Sequence, residues 1–395
     1  MGLKAESNRV RVAYVREEFF GVPESNPTYQ IARLTSSDLA ANKQTVTSEE
    51  LRSDRMVSDQ PEVGFDNGGT LNVEYSSETY EDFVESALCG TYSYDTINDL
   101  LKAPINLTDI ATATTVTTNT IAAVGIDTNA IVGQWVYLNM DFTDSTNNGW
   151  KKVATVGSGE ITVEQDLTTD TATNGTIDGK DLINGVEQRS YEVEQAFTDI
   201  LEYFQFSGMR LGTWDVSVSA GEILNGSFSF QGTSVAAQSD DEYGTAYTSA
   251  STTPVMNATS NVGSIMKDGV ALTTCIQSLN FTIDNNLRSQ MCIGNKFPSG
   301  IGYGRQLITG TLNAYFENLD LYNEMLTHDD VSLEFQITDI NGRSMKFEFP
   351  RVKFNSSAPS PEGIDTDVME NIEWTAIADT SGTYQIRIGM SQSGN

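Results

Sequence analysis

The strongest repeating signal along the chain is alternation of apolar and polar residues, the period of a strand with one buried face. It predicts strands at 10–15, 29–34 and 70–75, then a run of short ones at 121–124, 135–140, 150–156 and 160–163. Further strands are expected at 278–284, 308–315, 372–378 and 384–388. Two hairpins stand out. Leu333, Phe335 and Ile337 alternate toward Asn341-Gly342, and Met345, Phe347 and Phe349 alternate away from it, so these side chains should face each other across a tight turn. The pair Asn225-Gly226, between 222–224 and 227–230, predicts a second turn of the same kind.

Helical spacing is rare. Tyr80, Phe83, Val84, Ala87 and Leu88 fall at i, i+3, i+4, i+7 and i+8, predicting one amphipathic helix over 76–90 with Ser77 as its cap and Gly90 as its stop. A shorter helix is expected over 318–326 with Leu319, Tyr322 and Leu326 on one face. With more than ten strands and two helices, the expected fold is mainly β: an antiparallel β-sandwich or barrel with one principal flanking helix.

The pattern also changes along the chain. From about 105 it becomes richer in Thr, Gly and Asn, with short strands joined by polar turns such as Asn147-Asn148-Gly149. This reads as a small inserted β domain at 105–189, dividing a main unit into 1–104 and 190–395. Within the second part, 234–263 is rich in Ser, Thr and Ala without periodicity, which fits either a mobile loop or an extended arm. Another polar stretch, 42–59, centres on Ser48, Glu49, Glu50, Leu51, Arg52, Ser53, Asp54 and Arg55. A long exposed loop there is either a solvated excursion or an arm that contacts a neighbouring subunit.

Charge narrows the function. Across 395 residues, 54 acidic side chains stand against 23 basic ones, a net charge of −31, so specific recognition of a duplex is excluded by repulsion of its phosphates. The same repulsion suits a wall along which nucleic acid slides without sticking. Cys89, Cys275 and Cys292 are odd in number and far apart, which supports neither a disulfide framework nor a zinc site; buried thiols are expected. No stretch approaches the ~20 apolar residues of a membrane span, and a soluble protein made in a reducing host cytoplasm is expected.

Few residues are of a type and spacing that could carry chemistry. His328, the one histidine, precedes Asp329-Asp330 at the end of the short helix, and no G-x-S-x-G elbow accompanies it, so a histidine at a helix terminus is the better reading. Asp144 to Gly149 resembles a calcium loop but lacks its acidic third position and has Thr155 where the bidentate Glu belongs; a plain turn is expected. Gly300, Gly302 and Gly304 lack the spacing of a phosphate cradle and are read as a loop. No catalytic, metal or cofactor residue is assigned. A carboxylate pair for glycan hydrolysis cannot be recognised from spacing alone.

Four segments, in order, resemble the tail tube (major tail) protein family of siphophages. The first is Glu17-Glu18-Phe19-Phe20-Gly21-Val22-Pro23, then 48–55 and the helix at 79–88. The second runs from Asp199 to Met209 and into Gly226-Ser227-Phe228-Ser229-Phe230-Gln231-Gly232. The third is Asp284-Asn285-Asn286-Leu287 with Gly310 to Glu317, and the last is Asp339-Ile340-Asn341-Gly342 with Phe349-Pro350-Arg351. Val132-Gly133-Gln134-Trp135-Val136 is similar to a small β domain inserted in relatives of this layout. The resemblance implies a structural virion protein with no cofactor and no reaction: a tail-tube-type sandwich whose copies form hexameric rings, with inner sheets joined in one barrel. Rings would stack around an acidic lumen that conducts viral DNA during ejection, meeting terminator, tape measure and distal tail proteins. Under this expectation Ser48, Glu49, Arg52, Asp54 and Arg55 form an inter-subunit or inter-ring loop and the insert lies outside the tube. An adhesin or capsid decoration protein, or a tail-associated glycan hydrolase, are the alternatives.

Overall fold

The structure, a computed structural model, describes residues 4–95, 100–103, 105–107, 114–361 and 363–391. The expected boundary at residue 104 lies outside them. Strands make up 49% of the chain and helices 8%, so the fold is mainly β. In spatial order the main sheet runs Ala40–Thr45, Glu62–Glu74, Asn225–Gly232, Glu202–Ser219, Ile276–Asp284, Leu307–Tyr315, Met369–Ala376 and Ser344–Ser360, all neighbours antiparallel.

Two strands are long enough to serve two layers. Glu202–Ser219 pairs through 202–209 with Tyr191–Phe197, shifts register between Leu211 and Thr213, and continues into the main sheet. Ser344–Ser360 pairs first with Val331–Thr338 and Arg387–Met390, then with Met369–Ala376. Register shifts bend a strand and increase its twist, so both chains carry the sheet around the core. Aromatic rings fill the space between layers. Phe335 stacks on Phe347 at 4.7 Å, and Phe281 touches both and lies 5.4 Å from Phe349. Trp214 is parallel to Phe228 at 6.0 Å and donates its indole N–H to the Tyr75 hydroxyl.

The hairpin at 333–349 forms in the register its alternation predicts: Leu333 opposite Phe349, Phe335 opposite Phe347, Ile337 opposite Met345, with Gly342 at φ +84° in the turn. The Asn225-Gly226 turn does not form. The chain reverses at 220–222, where Gly221 has φ +80°, and Asn225 and Gly226 are already paired with Ser217 and Val216. Gly226 is there for packing, since a Cβ would stand 2.3 Å from the Asp215 carbonyl oxygen and 2.5 Å from the Tyr75 ring.

The principal helix is shorter than expected, Glu81–Leu88, and buries Phe83, Val84, Ala87 and Leu88. Phe83 packs 5.3 Å from both Phe228 and Phe230. Ser77 does not cap it; its hydroxyl donates to Asp339 instead. Nor does Gly90 supply the left-handed stop, which is Cys89 at φ +49°; Gly90 leaves room for the Ile183 carbonyl, which a Cβ would meet at 2.0 Å. In the second helix, Asp320–Thr327, the buried side is Leu321 with Met325 against the core, while Leu319 and Leu326 are 55% and 61% exposed. Leu319 precedes the first helical turn, which takes it off the expected face.

Segment 234–263 is neither one loop nor one arm. Ser234–Ser239 pairs with 202–207, Ala246–Thr248 runs parallel to Thr28–Ile31, and Ala258–Asn261 is a helical turn capped by Asn257. Its anchors are distant: the Tyr243 N–H and the Tyr247 hydroxyl both donate to the buried Glu194, and Tyr247 stacks on Tyr29 at 5.8 Å. No local pattern encodes those partners.

Residues between Ile105 and Ile177 build a second hydrophobic core around Val136, Leu138, Val153 and Ile161. The strand Gly175–Ile183 leaves it, and its last four residues pair with Arg387–Met390 of the main core. Polar groups complete the join. Trp135 and Lys152 both donate to the Glu348 carboxylate at 2.7 Å, Trp150 donates to the Ser344 hydroxyl at 2.9 Å, and Arg387 pairs with Asp181. Burial pushes the Asp181 carboxyl up to about 6 against the pull of the Arg387 guanidinium, so the two form an ion pair at neutral pH.

Of the three thiols only Cys89 is buried; Cys275 and Cys292 are exposed, because each stands on a connection outside the core. Burial also pushes the Cys89 thiol up to about 11. At pH 8 its thiolate fraction is on the order of one in a thousand. Titration of native protein with a chromogenic thiol reagent should therefore count two fast thiols, with the third appearing on unfolding. Three fast thiols would contradict the packing around Cys89.

Candidate assembly surfaces

The loop singled out by its charge lies at the end of a hairpin whose strands, Ala40–Thr45 and Glu62–Glu74, leave the main sheet as an arm. Backbone bonds extend the ladder outward, from Val46 to Pro61 and from Ser48 to Asp59. Beyond them every residue from Glu49 to Val63 is exposed. Arg52 grips Asp54 with two donors, Nε at 3.0 Å and Nη2 at 2.6 Å, and Asp54 also accepts the Met56 N–H. That pairing holds Asp54 below the usual carboxylate range and Arg52 above its own ordinary value. Arg55 completes the turn at φ +59°. The structure thus brings Arg52, Asp54 and Arg55 together at the tip, while Ser48 sits at the base and Glu49 faces solvent.

A second projection braces this arm, and no sequence pattern marked it. Arg288–Gln290 pairs with Gly300–Gly302 in a separate two-stranded ribbon, so two of the three glycines read as a loop are strand residues. The Phe65 N–H donates to the Lys296 carbonyl at 2.9 Å, Phe65 packs 5.1 Å from Phe297, and the Lys296 ammonium lies over both rings. Arm and ribbon leave the same end of the sheet, since Thr70 of the arm-bearing strand, Ser229, Thr213, Asp284 and Leu307 are paired in series there.

The outward face of the main sheet is the third surface. One row across it reads Asn72, Ser227, Asp215, Thr282, Thr309, Thr375, each residue opposite the next. Ser227 and Thr282 both donate to Asp215. This row and its two neighbours, on the strands from Glu62–Glu74 to Met369–Ala376, hold four carboxylates, Glu74, Asp215, Asp284 and Glu373, and no Lys or Arg. Apolar residues take the inward positions, which is what alternation requires of a sheet with one wet side. At the margins, Ala40–Thr45 pairs only with Glu62–Glu74, and residues 354–360 pair only with Met369–Ala376, among the described residues.

Residues 7–376 match the family model of phage tail tube proteins. The chain belongs to the phage tail tube protein family. That covers both long strands, the arm, the ribbon and the second core, and places the protein in the tail of the virion as a structural component. No curated protein matches it. The family is one of structural tail proteins. Among the described residues no cluster of His, Cys, Asp or Glu could hold a metal ion, and no helix is long and apolar enough to cross a membrane. His328 is exposed, its backbone N–H donating to the Glu324 carbonyl at the helix end, and Asp144 accepts the Thr146 N–H in a short turn.

Proposed function

We propose that this tail tube protein assembles as hexameric rings that stack into a tube, with the polar face of the main sheet lining a lumen through which DNA passes during ejection. The observation that carries this reading is the composition of the middle of that face: from Glu62–Glu74 to Met369–Ala376 three rows hold four carboxylates among hydroxyls and amides and no cation, and Lys353, opposite Thr375 on the next strand, is paired with Asp330. Phosphates meet repulsion and no fixed positive partner, so DNA slides without binding. Two unpaired margins support ring closure. Exposed edges invite strand pairing, and a head-to-tail contact between two different margins closes into a ring when its rotation fits. In this reading the tip formed by Arg52, Asp54 and Arg55 bridges rings, the unit around residues 105–177 decorates the exterior, and no cofactor is needed. Terminator, tape measure and distal tail proteins are the other partners, in a virion built in the host cytoplasm.

Negative-stain microscopy of purified protein should show hollow cylinders of constant width; solid or irregular aggregates would sink the reading. Exchanging Arg52 and Arg55 for Glu should shorten them. Tubes of unchanged length and stability would remove the tip from the interface.

A further inference from the structure

The end of the sheet opposite the arm and ribbon carries a groove. It lies between the small hairpin Met266–Lys267/Val270–Ala271 and the helix Asp320–Thr327, encloses about 490 Å³, and has Val270, Leu272 and Leu321 in its walls. Val270 is 70% exposed. Three acidic residues, Asp320, Glu324 and Asp329, line it as well; Lys267 engages Glu324, whereas Asp320 and Asp329 have no ion pair among the described residues. Apolar walls with residual negative charge call for an apolar, basic occupant.

The ribbon has that chemistry. From Asn285 to Gln306 the chain holds Arg288, Lys296 and Arg305 and no acidic residue, in a protein of net charge −31. Its tip presents Met291 and the fully exposed Ile293. It cannot reach the groove of its own chain. The nine-residue strand Ile276–Asp284 separates them, with the ribbon after its last residue and the groove beside its first, about 30 Å apart. We infer that the ribbon tip docks into this groove on a second copy of the chain stacked end to end. Met291 and Ile293 bury against Val270 and Leu272, and the basic ribbon faces Asp320 and Asp329. Because tip and groove are different surfaces at opposite ends, each added copy leaves one of each free, and the contact propagates without limit. The inference rests on the stacked-ring reading and names the partner surfaces within it.

Cys292, exposed beside Ile293, supplies the test. Tubes of a Cys275→Ser, Val270→Cys variant, treated with an oxidant, should yield a ladder of disulfide-linked multimers beyond the dimer on denaturing gels, and adding Cys292→Ser should abolish it. Ile293→Asp, at a site with no packing to lose, should lower the polymerised fraction at least roughly tenfold by setting a charge against apolar walls, with the fold intact by circular dichroism. Wild-type protein that forms no tubes overturns the stacked-ring reading and this one together. Tubes that give no ladder, together with an Ile293→Asp variant that assembles as well as the wild type, overturn the docking alone.

Discussion

Replacing Asp181 with Asn is expected to lower stability by about 3–5 kcal/mol, because it strands the buried Arg387 guanidinium without its carboxylate. The two residues are 5% exposed and sit where the strand from the second core joins Arg387–Met390. Calorimetry should show the loss as a drop of several degrees or more in the unfolding midpoint. A paired change, Asp181→Leu with Arg387→Met, should recover much of it, since the cost lies in the orphaned charge. A single-variant change below about 1 kcal/mol would mean that water reaches the pair. The pH dependence reports the opposing contribution, the cost of burying the charged carboxyl. The Asp181 carboxyl lies at about 6 folded against an ordinary 3.8, so between those values the folded chain holds the proton more tightly. Its contribution therefore rises as pH falls from 6 toward 4, and that slope should vanish in Asp181→Asn.

Trp214→Ala is the second large effect, expected at about 3–5 kcal/mol. Trp214 is 1% exposed, stacks on Phe228, meets Phe281 edge-on at 5.6 Å and donates to Tyr75. Its removal opens a cavity between two layers whose rings cannot close over it, and leaves the buried Tyr75 hydroxyl without its donor. Trp214→Phe should cost less, losing the donor but keeping most of the volume. Denaturant midpoints compared at constant slope would separate the two. Equal losses would assign the effect to the hydrogen bond rather than to packing.

Trp214 also marks the limit of local pattern. The hairpin at 333–349 was legible because its partners are neighbours in sequence and its aromatic residues keep a strict two-residue period across Asn341-Gly342. The Asn225-Gly226 pair carries the same turn signal, yet that glycine answers to Tyr75, some 150 positions earlier, and to a backbone oxygen on the adjoining strand. A local signal cannot tell a glycine needed for a turn from one needed for close approach.

The same division holds for function. Alternating apolar and hydroxyl residues, a dearth of helical spacing and a strongly acidic composition determined by themselves that this chain is β-rich, with one wet sheet face and a charged loop around Arg52 and Arg55; its structural role was carried by the resemblance to tail tube proteins. Tertiary structure alone decided that four carboxylates and no cation share the middle of that face. It decided also that 234–263 is tied down through Glu194, that the ribbon at 288–302 braces the arm, and that tip and groove lie at opposite ends. Each of these depends on residues far apart in the chain meeting through strand register, and register is set by the whole core rather than by any segment of it.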